Sequence, residues 1–185
     1  MEPFLVSTGV VALAEIGDKT QLLALVLAAR YRKPWAIVAG ILLATLTNHA
    51  FAAAVGVWLA TLVGSQIMRW IVGASFIAMA LWMLVPDSSP DAPDRLPRAS
   101  VFLATFTAFF LVEIGDKTQV ATVALAARFD ALVYVVLGTT LGMMITNVPA
   151  VLLGDAVTKR VPLVAIRVAC AVLFVGLGLV ALLAP

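Results

Sequence analysis

The sequence predicts an all-α integral membrane protein with six transmembrane helices, built as two inverted three-helix repeats. Of its 185 residues, 63% are apolar and only 12% are charged, and the mean hydropathy is +1.11. These values lie far outside the usage of soluble domains. Six apolar segments are each long enough to cross a bilayer, and the second half of the chain repeats the first. These observations together predict the fold class.

The six predicted helices are separated by charged or proline-containing breaks. A spanning helix needs about 20 mostly apolar residues. The segments of suitable length cover roughly residues 4–29, 35–63, 67–85, 100–128, 131–157 and 161–184. The first segment follows Glu2 rather than a basic region, and its apolar stretch is too long for a signal peptide. We therefore expect it to remain in the mature protein.

A polar segment in the middle of the chain divides the helices into two groups of three. Residues 87–100 contain three aspartates, two arginines and the prolines Pro90, Pro93 and Pro97. This composition is typical of a solvated linker. The predicted organisation is a first repeat over residues 1–86, the linker over 87–100, and a second repeat over 101–185.

The two halves are related by a shift of 98 residues. Residues 15–30 (EIGDKTQLLALVLAAR) and 113–128 (EIGDKTQVATVALAAR) are identical at 11 of 16 positions. The same shift pairs residues of the later helices, namely Gly40 with Gly138, Gly56 with Gly154, Arg69 with Arg167 and Phe76 with Phe174. Because each half contains an odd number of helices, the second copy must enter the membrane from the opposite side. The halves are therefore predicted to be inverted repeats.

Basic residues outside the repeated motifs predict the orientation of the chain. Arg69 and Arg128 border one side of the membrane. Eight basic residues border the other side, namely Arg30, Arg32, Lys33, Arg95, Arg98, Lys159, Arg160 and Arg167. Because cytoplasmic loops are enriched in Lys and Arg, we expect a cytoplasmic linker and both termini outside.

The overall charge and the cysteine content exclude other classes of protein. Twelve Lys and Arg against ten Asp and Glu leave a formal charge of +2, which is too small and too scattered for a nucleic-acid surface. The single cysteine, Cys170, lies in an apolar run and cannot form an intrachain disulfide, a zinc cluster or a redox pair.

Charged residues occupy the centres of the first and fourth predicted helices. The two groups are Glu15, Asp18, Lys19, Thr20 and Gln21, and Glu113, Asp116, Lys117, Thr118 and Gln119. Each charge at a helix centre costs ~2.5–3.5 kcal/mol, so the six charges cost on the order of 15–20 kcal/mol before pairing. Such a cost indicates a functional site.

A continuous helix would place the acids, lysines and glutamines on one polar stripe that faces protein or a cavity. Thr20 points away from this stripe, so we expect its hydroxyl to bond the carbonyl of Ile16, unless a break at Gly17 turns it inward. Continuous helices and helices broken at Gly17 and Gly115 both fit the sequence.

The acids of the two groups outnumber the lysines. Intrahelical pairs between Glu15 and Lys19 and between Glu113 and Lys117 would neutralise only two of the four carboxylates, which disfavours a purely structural role. The remaining formal charge of −2 complements one divalent cation or two protons. Oxygen ligands suit hard ions, whereas Cu⁺ or Zn²⁺ would favour Cys or His. Mn²⁺ and Ca²⁺ are therefore the preferred candidates.

Other polar residues are assigned secondary roles. Gln21 and Gln119 are candidate neutral ligands, and Asn48 and Asn147 are second-tier candidates for lining the cavity. Lys19 and Lys117 are assigned to charge compensation or gating. The sole histidine, His49, has Asn147 at its equivalent position in the second half, so a hydrogen-bonded packing role is favoured over a proton relay or a ligand.

The two motifs resemble the signature of a known family. The E-x-G-D-K-T strings at 15–20 and 113–118, in two three-helix halves joined by an acidic linker, are similar to those of Golgi and bacterial manganese and calcium proton exchangers. In that family, E-x-G-D is followed by Lys or Arg and then by Thr or Ser. The resemblance spans essentially the whole chain. It implies cation-for-proton antiport, with Glu15, Asp18, Glu113 and Asp116 as the metal ligands.

The predicted function is secondary active transport that exchanges Mn²⁺ and/or Ca²⁺ for protons by alternating access and exports the metal from the cytoplasm. A bacterial-type inner membrane is preferred to a Golgi-type membrane, and no resident cofactor is expected. The alternative is an exporter of a small organic solute such as an amino acid, which would need cationic contacts that the motifs lack. An enzyme is disfavoured because no buried Ser, His and Arg constellation accompanies the acids. The oligomeric state is left open.

Overall fold

The computed structural model describes residues 1–85, 100–154 and 163–183, and the regular structure in these ranges is helical, as predicted. Eight helices follow one another along the described chain, namely α1 (Glu2–Glu15), α2 (Lys19–Tyr31), α3 (Pro34–Leu62), α4 (Ser65–Met83), α5 (Val101–Glu113), α6 (Lys117–Phe129), α7 (Leu132–Leu153) and α8 (Leu163–Leu183). The predicted linker, except for Ser100, lies outside the described residues.

The first and fourth predicted helices are each divided into two. Residues 16–18 separate α1 from α2, and residues 114–116 separate α5 from α6. Gly17 and Gly115, at the centres of these breaks, have φ values of 78° and 76°. Residues with side chains rarely adopt this left-handed region. The expectation of one polar stripe on each continuous helix is therefore wrong, because the helical periodicity is interrupted inside each motif.

Four helices of the described chain are long and apolar enough to cross a membrane, namely α3, α4, α7 and the part of α8 from Val164 onwards. Their bounds agree within a few residues with the predicted segments 35–63, 67–85, 131–157 and 161–184, as far as the described chain extends. The helix α5 is apolar but has only 13 residues. The described chain thus contains four continuous candidates for the six predicted transmembrane helices, of which the first and fourth were predicted as either continuous or broken.

Large apolar side chains cover much of the outer surface. More than half of the surface of each of several such side chains is exposed, including Leu5, Trp35, Phe51, Ile67 and Leu111. Soluble monomers rarely expose so much apolar surface, whereas helices in a bilayer present such side chains to lipid. The exposed apolar surface and the long apolar helices are features of an integral membrane protein.

Two glycines allow close contacts between helices that are distant in sequence. The helix α1 packs against α7, and α5 packs against α3. A Cβ atom added at Gly138 of α7 would lie 2.5 Å from the carbonyl oxygen of Phe4, and one added at Gly40 of α3 would lie 2.9 Å from that of Phe102. Only a residue without a side chain permits this approach. The contacts hold α1 and α5, which end at the two motif glutamates, against helices from the other half of the chain.

Candidate functional site

Three of the four acids of the repeated motifs converge inside the protein. One carboxylate oxygen from each of Glu15, Glu113 and Asp116 lies within 4.8 Å of the other two. Both glutamates are 0% exposed, and Asp116 is 2% exposed. Asp18 is also buried but does not belong to this group of the described residues. The structure therefore brings together residues about 100 positions apart, as the repeat predicted.

The helix breaks position all four acids. Glu15 and Glu113 are the last residues of α1 and α5, whereas Asp18 and Asp116 precede the first residues of α2 and α6. A helix N-terminus carries unpaired N–H groups and a partial positive charge that favours a nearby carboxylate. Accordingly, Asp18 Oδ2 accepts a hydrogen bond from the backbone N–H of Thr20, with an N–O distance of 3.3 Å.

The two motif threonines turn toward the acids. The Thr20 hydroxyl donates to Glu15 Oε2 at 2.6 Å and lies 3.4 Å from Asp18 Oδ2. The Thr118 hydroxyl lies 3.4 Å from both Glu113 Oε2 and Asp116 Oδ2. The Thr20 hydroxyl therefore does not bond the carbonyl of Ile16, and the stated alternative, in which a break at Gly17 turns this side chain inward, is the one found. Each threonine links the glutamate before a break to the aspartate after it.

Lys19 forms an ion pair with the acid of the other motif. Its Nζ lies 2.6 Å from Asp116 Oδ1. In the described chain it does not pair with Glu15, as the intrahelical interpretation would require, because the break separates the two residues. Lys117 has different surroundings. Its Nζ lies 3.4 Å from the carbonyl oxygen of Val85 and 6.0 Å from the ring centroid of Trp82.

The two motif glutamines brace the helix breaks. The Gln21 side-chain oxygen accepts from the N–H of Gly17 at 2.9 Å, and that of Gln119 accepts from Gly115 at 2.7 Å. The Gln21 amide nitrogen also donates to the carbonyl of Thr146 in α7 at 3.2 Å. The amide oxygens that the sequence offered as neutral ligands are thus engaged with backbone groups that the breaks leave without helical partners.

The two asparagines differ in their surroundings. The Asn48 amide donates to the carbonyl of Phe110 at 3.1 Å and so links α3 to α5. The Asn147 amide nitrogen lies 3.0 Å from the carbonyl oxygen of Met143 and 2.9 Å from its sulfur. Asn147 Oδ1 is buried and has no hydrogen-bond donor among the described residues. Asn147 therefore presents an acceptor oxygen in the interior, and Asn48 serves as a brace.

His49 lies beside the acids, which the sequence did not indicate. The side chain is 0% exposed, and its Nε2 lies 4.0 Å from Glu113 Oε2. Neither ring nitrogen has a hydrogen-bond partner in the part of the chain that the structure describes. The hydrogen bonds expected for His49 are therefore not found among the described residues. The sequence around His49 does not show that it lies near Glu113, because the two residues are on different helices that meet only in the fold.

The acidic group carries more negative charge than its nearest cation neutralises. When ionised, the carboxylates of Glu15, Glu113 and Asp116, together with the ammonium of Lys19, leave a formal charge of −2. Glu15 Oε1 and Glu113 Oε1 are buried without hydrogen-bond partners among the described residues. Buried carboxylates in this condition require a proton or a cation. The arrangement can therefore hold a hard divalent ion or protons, in competition for the same oxygens.

Comparisons with known proteins also indicate the exchange of a divalent cation for protons. The model of a family described as "Divalent cation/proton antiporter GDT1" matches residues 3–91 and 101–185. A Vibrio cholerae protein named "Putative manganese exporter" is 50% identical over 180 residues, which cover 97% of this chain and 90% of the relative. A "GDT1-like protein 5" of Arabidopsis thaliana is 25% identical over 223 residues, covering 100% of this chain and 97% of the relative.

A GDT1-like protein of Synechocystis is 27% identical over 179 residues, which cover 82% of each chain. No solved structure matches the chain. The family model includes both acidic motifs, so the predicted resemblance is confirmed, as is the prediction of a transporter rather than an enzyme. The chain belongs to the GDT1 family of divalent cation/proton antiporters.

Proposed function

We propose that this antiporter exports Mn²⁺, with Ca²⁺ as a second substrate, in exchange for protons, and that Glu15, Asp18, Glu113 and Asp116 bind the cation. The observation that carries this proposal is the convergence of three buried carboxylates within 4.8 Å. The name of the Vibrio relative favours Mn²⁺. Asp18 joins the other acids through Thr20, whose hydroxyl lies within 3.4 Å of both Asp18 and Glu15.

The carrier consists of six spans in two inverted repeats, over residues 1–86 and 101–185, with residues 87–100 as the linker. In this arrangement α1 with α2, and α5 with α6, each form one broken span. Reciprocal contacts support it, because Gly138 meets Phe4 and Gly40 meets Phe102 at positions related by the 98-residue shift. The equivalent residues Phe76 and Phe174 also contact each other, with ring centroids 6.0 Å apart.

Transport follows from access to one shared site from alternate sides. Broken helices at the interface of inverted repeats place their termini around the substrate, and rocking of one repeat against the other changes the open side. In the cytoplasm-facing state the ionised acids bind the metal. On the outer side protons neutralise the carboxylates and release it, since both compete for the same oxygens. In a bacterial inner membrane the protons are outside, and this gradient drives the metal out of the cytoplasm. The chain is oriented with both termini outside and the linker in the cytoplasm.

Lys19 stabilises the site between cycles. Its contact with Asp116 neutralises one carboxylate when no metal is bound, and the incoming cation replaces the ammonium. Lys117 has the corresponding role in the first motif, beside Asp18 and Gly17 along the wall of a small cavity. Gln21 and Gln119 support the breaks, and Asn147 Oδ1 is available as a neutral ligand. The family does not favour the alternative of organic solute export.

The proposal is tested by ion flux in proteoliposomes with an imposed pH gradient. The flux of Mn²⁺, Ca²⁺, Mg²⁺ and Zn²⁺ is measured with the purified protein, and the assay is repeated with Glu15→Gln and Glu113→Gln. Either substitution should abolish proton-driven Mn²⁺ flux. The matched control is Glu2→Gln, which removes an exposed acid outside the site and should leave the flux unchanged. Folded protein that moves no divalent ion, or flux that survives both substitutions, would overturn the proposal.

A further inference from the structure

We propose that His49 is a nitrogen ligand of the transported cation and that it makes the site prefer Mn²⁺ to Ca²⁺. This inference rests on the proposed function, because it adds a residue to the same cation site. It concerns a side chain that belongs to neither acidic motif. His49 lies within α3, the helix that packs against α5, α6 and α7.

The position of the imidazole fits a shared cation. Nε2 lies 4.0 Å from Glu113 Oε2, which is too far for a hydrogen bond. Two donors bound to one divalent cation, each at roughly 2.0–2.6 Å, are separated by roughly 3–5 Å. The gap between His49 and Glu113 falls in this range. Glu113 in turn belongs to the group of carboxylates within 4.8 Å of one another.

The lack of hydrogen bonds at His49 supports the same role. Both ring nitrogens are buried, and neither has a hydrogen-bond partner in the described chain. Most buried polar groups are hydrogen-bonded, and an unsatisfied one is costly. Coordination through Nε2 would satisfy one of the two nitrogens. Purely structural packing of His49 would satisfy neither.

The imidazole also makes the two halves chemically different. The shift of 98 residues places Asn147 at the position equivalent to His49. An amide oxygen is a hard donor like the carboxylates. Both Mn²⁺ and Ca²⁺ bind oxygen ligands, but Mn²⁺ is a first-row transition metal and accepts an imidazole nitrogen more readily than Ca²⁺ does. A site in which one imidazole joins the carboxylates therefore discriminates between Mn²⁺ and Ca²⁺ in a way that the acidic motifs alone do not.

The direct test is electron spin-echo spectroscopy of Mn²⁺ bound to the purified full-length protein. Because His49 is the sole histidine of the chain, an imidazole ¹⁴N coupling to Mn²⁺ can arise only from this residue. We expect this coupling in the wild type and its loss in His49→Asn, which introduces the residue found at the equivalent position. Mn²⁺ bound at the wild-type site without the coupling would overturn the inference.

Transport competition provides the second test. His49→Asn and His49→Gln should weaken the apparent Mn²⁺ affinity about tenfold or more, while the Ca²⁺ affinity changes much less. Equal losses for both ions in both variants would indicate a packing role and overturn the inference. The wild type could transport Mn²⁺, and lose this flux in Glu113→Gln, while its bound Mn²⁺ shows no nitrogen coupling. This combination would reject His49 as a ligand and leave the proposed function intact. Absence of wild-type flux would reject the proposed function.

Discussion

The ammonium of Lys19 lies 2.6 Å from Asp116 Oδ1, so the lysine of the first motif neutralises an acid of the second. Lys19 begins α2 and Asp116 precedes α6, and the contact therefore joins the two helix breaks. The side chain of Lys19 is 25% exposed, whereas that of Asp116 is 3% exposed. This contact therefore joins the two halves of the chain at the proposed cation site.

Lys19→Gln should destabilise the metal-free protein. Breaking a fully buried ion pair costs about 3–5 kcal/mol because one charge stays buried and unpaired. The partial exposure of Lys19 places the expected loss of unfolding free energy below that range. Mn²⁺ should restore more stability to the variant than to the wild type, since the ion supplies the missing positive charge.

Thermal unfolding in detergent, with and without Mn²⁺, measures both effects of the lysine substitution. The matched control is Lys33→Gln, which removes an exposed lysine between α2 and α3. Equal melting temperatures for the Lys19 and Lys33 variants without metal would contradict the stabilising role of the ion pair.

Thr20→Val should impair Mn²⁺ binding more than Thr118→Val. The Thr20 hydroxyl donates to Glu15 at 2.6 Å, whereas the Thr118 hydroxyl is 3.4 Å from each of its acceptors. A hydrogen bond to a charged group contributes about 1.5–3 kcal/mol, so we expect about a tenfold weaker apparent affinity for Thr20→Val.

Titration of Mn²⁺ flux compares the two threonine variants. The control is Thr47→Val, which removes an exposed hydroxyl bonded to the carbonyl of Leu43 within α3. A larger loss of apparent Mn²⁺ affinity in Thr118→Val than in Thr20→Val would argue against the positioning of Glu15 by the hydrogen bond from Thr20.

Gly115→Ala should lower both stability and transport. An alanine Cβ would meet nothing within 4 Å there, so the whole effect comes from the positive φ of 76°. The left-handed conformation costs a side-chain-bearing residue roughly 1–2 kcal/mol. Gly115→Asn should be less harmful, because asparagine tolerates this conformation better than alanine.

Melting temperature and Mn²⁺ flux test the effect of backbone conformation at Gly115. Gly9→Ala is the matched control, because Gly9 also has free space around an added Cβ but lies inside α1. That variant should be as stable as the wild type or more stable, since alanine favours a helix by roughly 0.5–1 kcal/mol over glycine. Equal melting temperatures and equal Mn²⁺ flux for Gly9→Ala and Gly115→Ala would refute the explanation by the positive φ at residue 115.

Mn²⁺ binding should release protons, and the affinity for Mn²⁺ should fall as the pH is lowered. In the proposed site the ion and the protons compete for the oxygens of Glu15, Glu113 and Asp116, and metal ligands must be deprotonated to bind. A pH-indicator dye in weakly buffered detergent solution measures the protons released per ion. Glu113→Gln should release fewer protons and Glu2→Gln as many as the wild type. Undiminished release from Glu113→Gln would exclude this acid from the exchange.

The sequence alone indicated the acids of the candidate site and their duplication. Charges such as Glu15 and Glu113 are costly in a hydrophobic helix, so their position already indicates function. The 98-residue shift also indicated that the two motifs act together. Gly17 and Gly115 marked where the helices can break, but both continuous and broken helices fitted the sequence.

The tertiary structure decided which side chains meet at the site. The breaks at Gly17 and Gly115 turn Thr20 and Thr118 toward the acids, and helical periodicity cannot predict this because it ends at the break. The pairing of Lys19 with Asp116 joins residues 97 positions apart. The approach of His49 to Glu113 likewise depends on the packing of α3 against α5. Local sequence determines the cost of each buried charge, but only the packing of distant helices determines its partner.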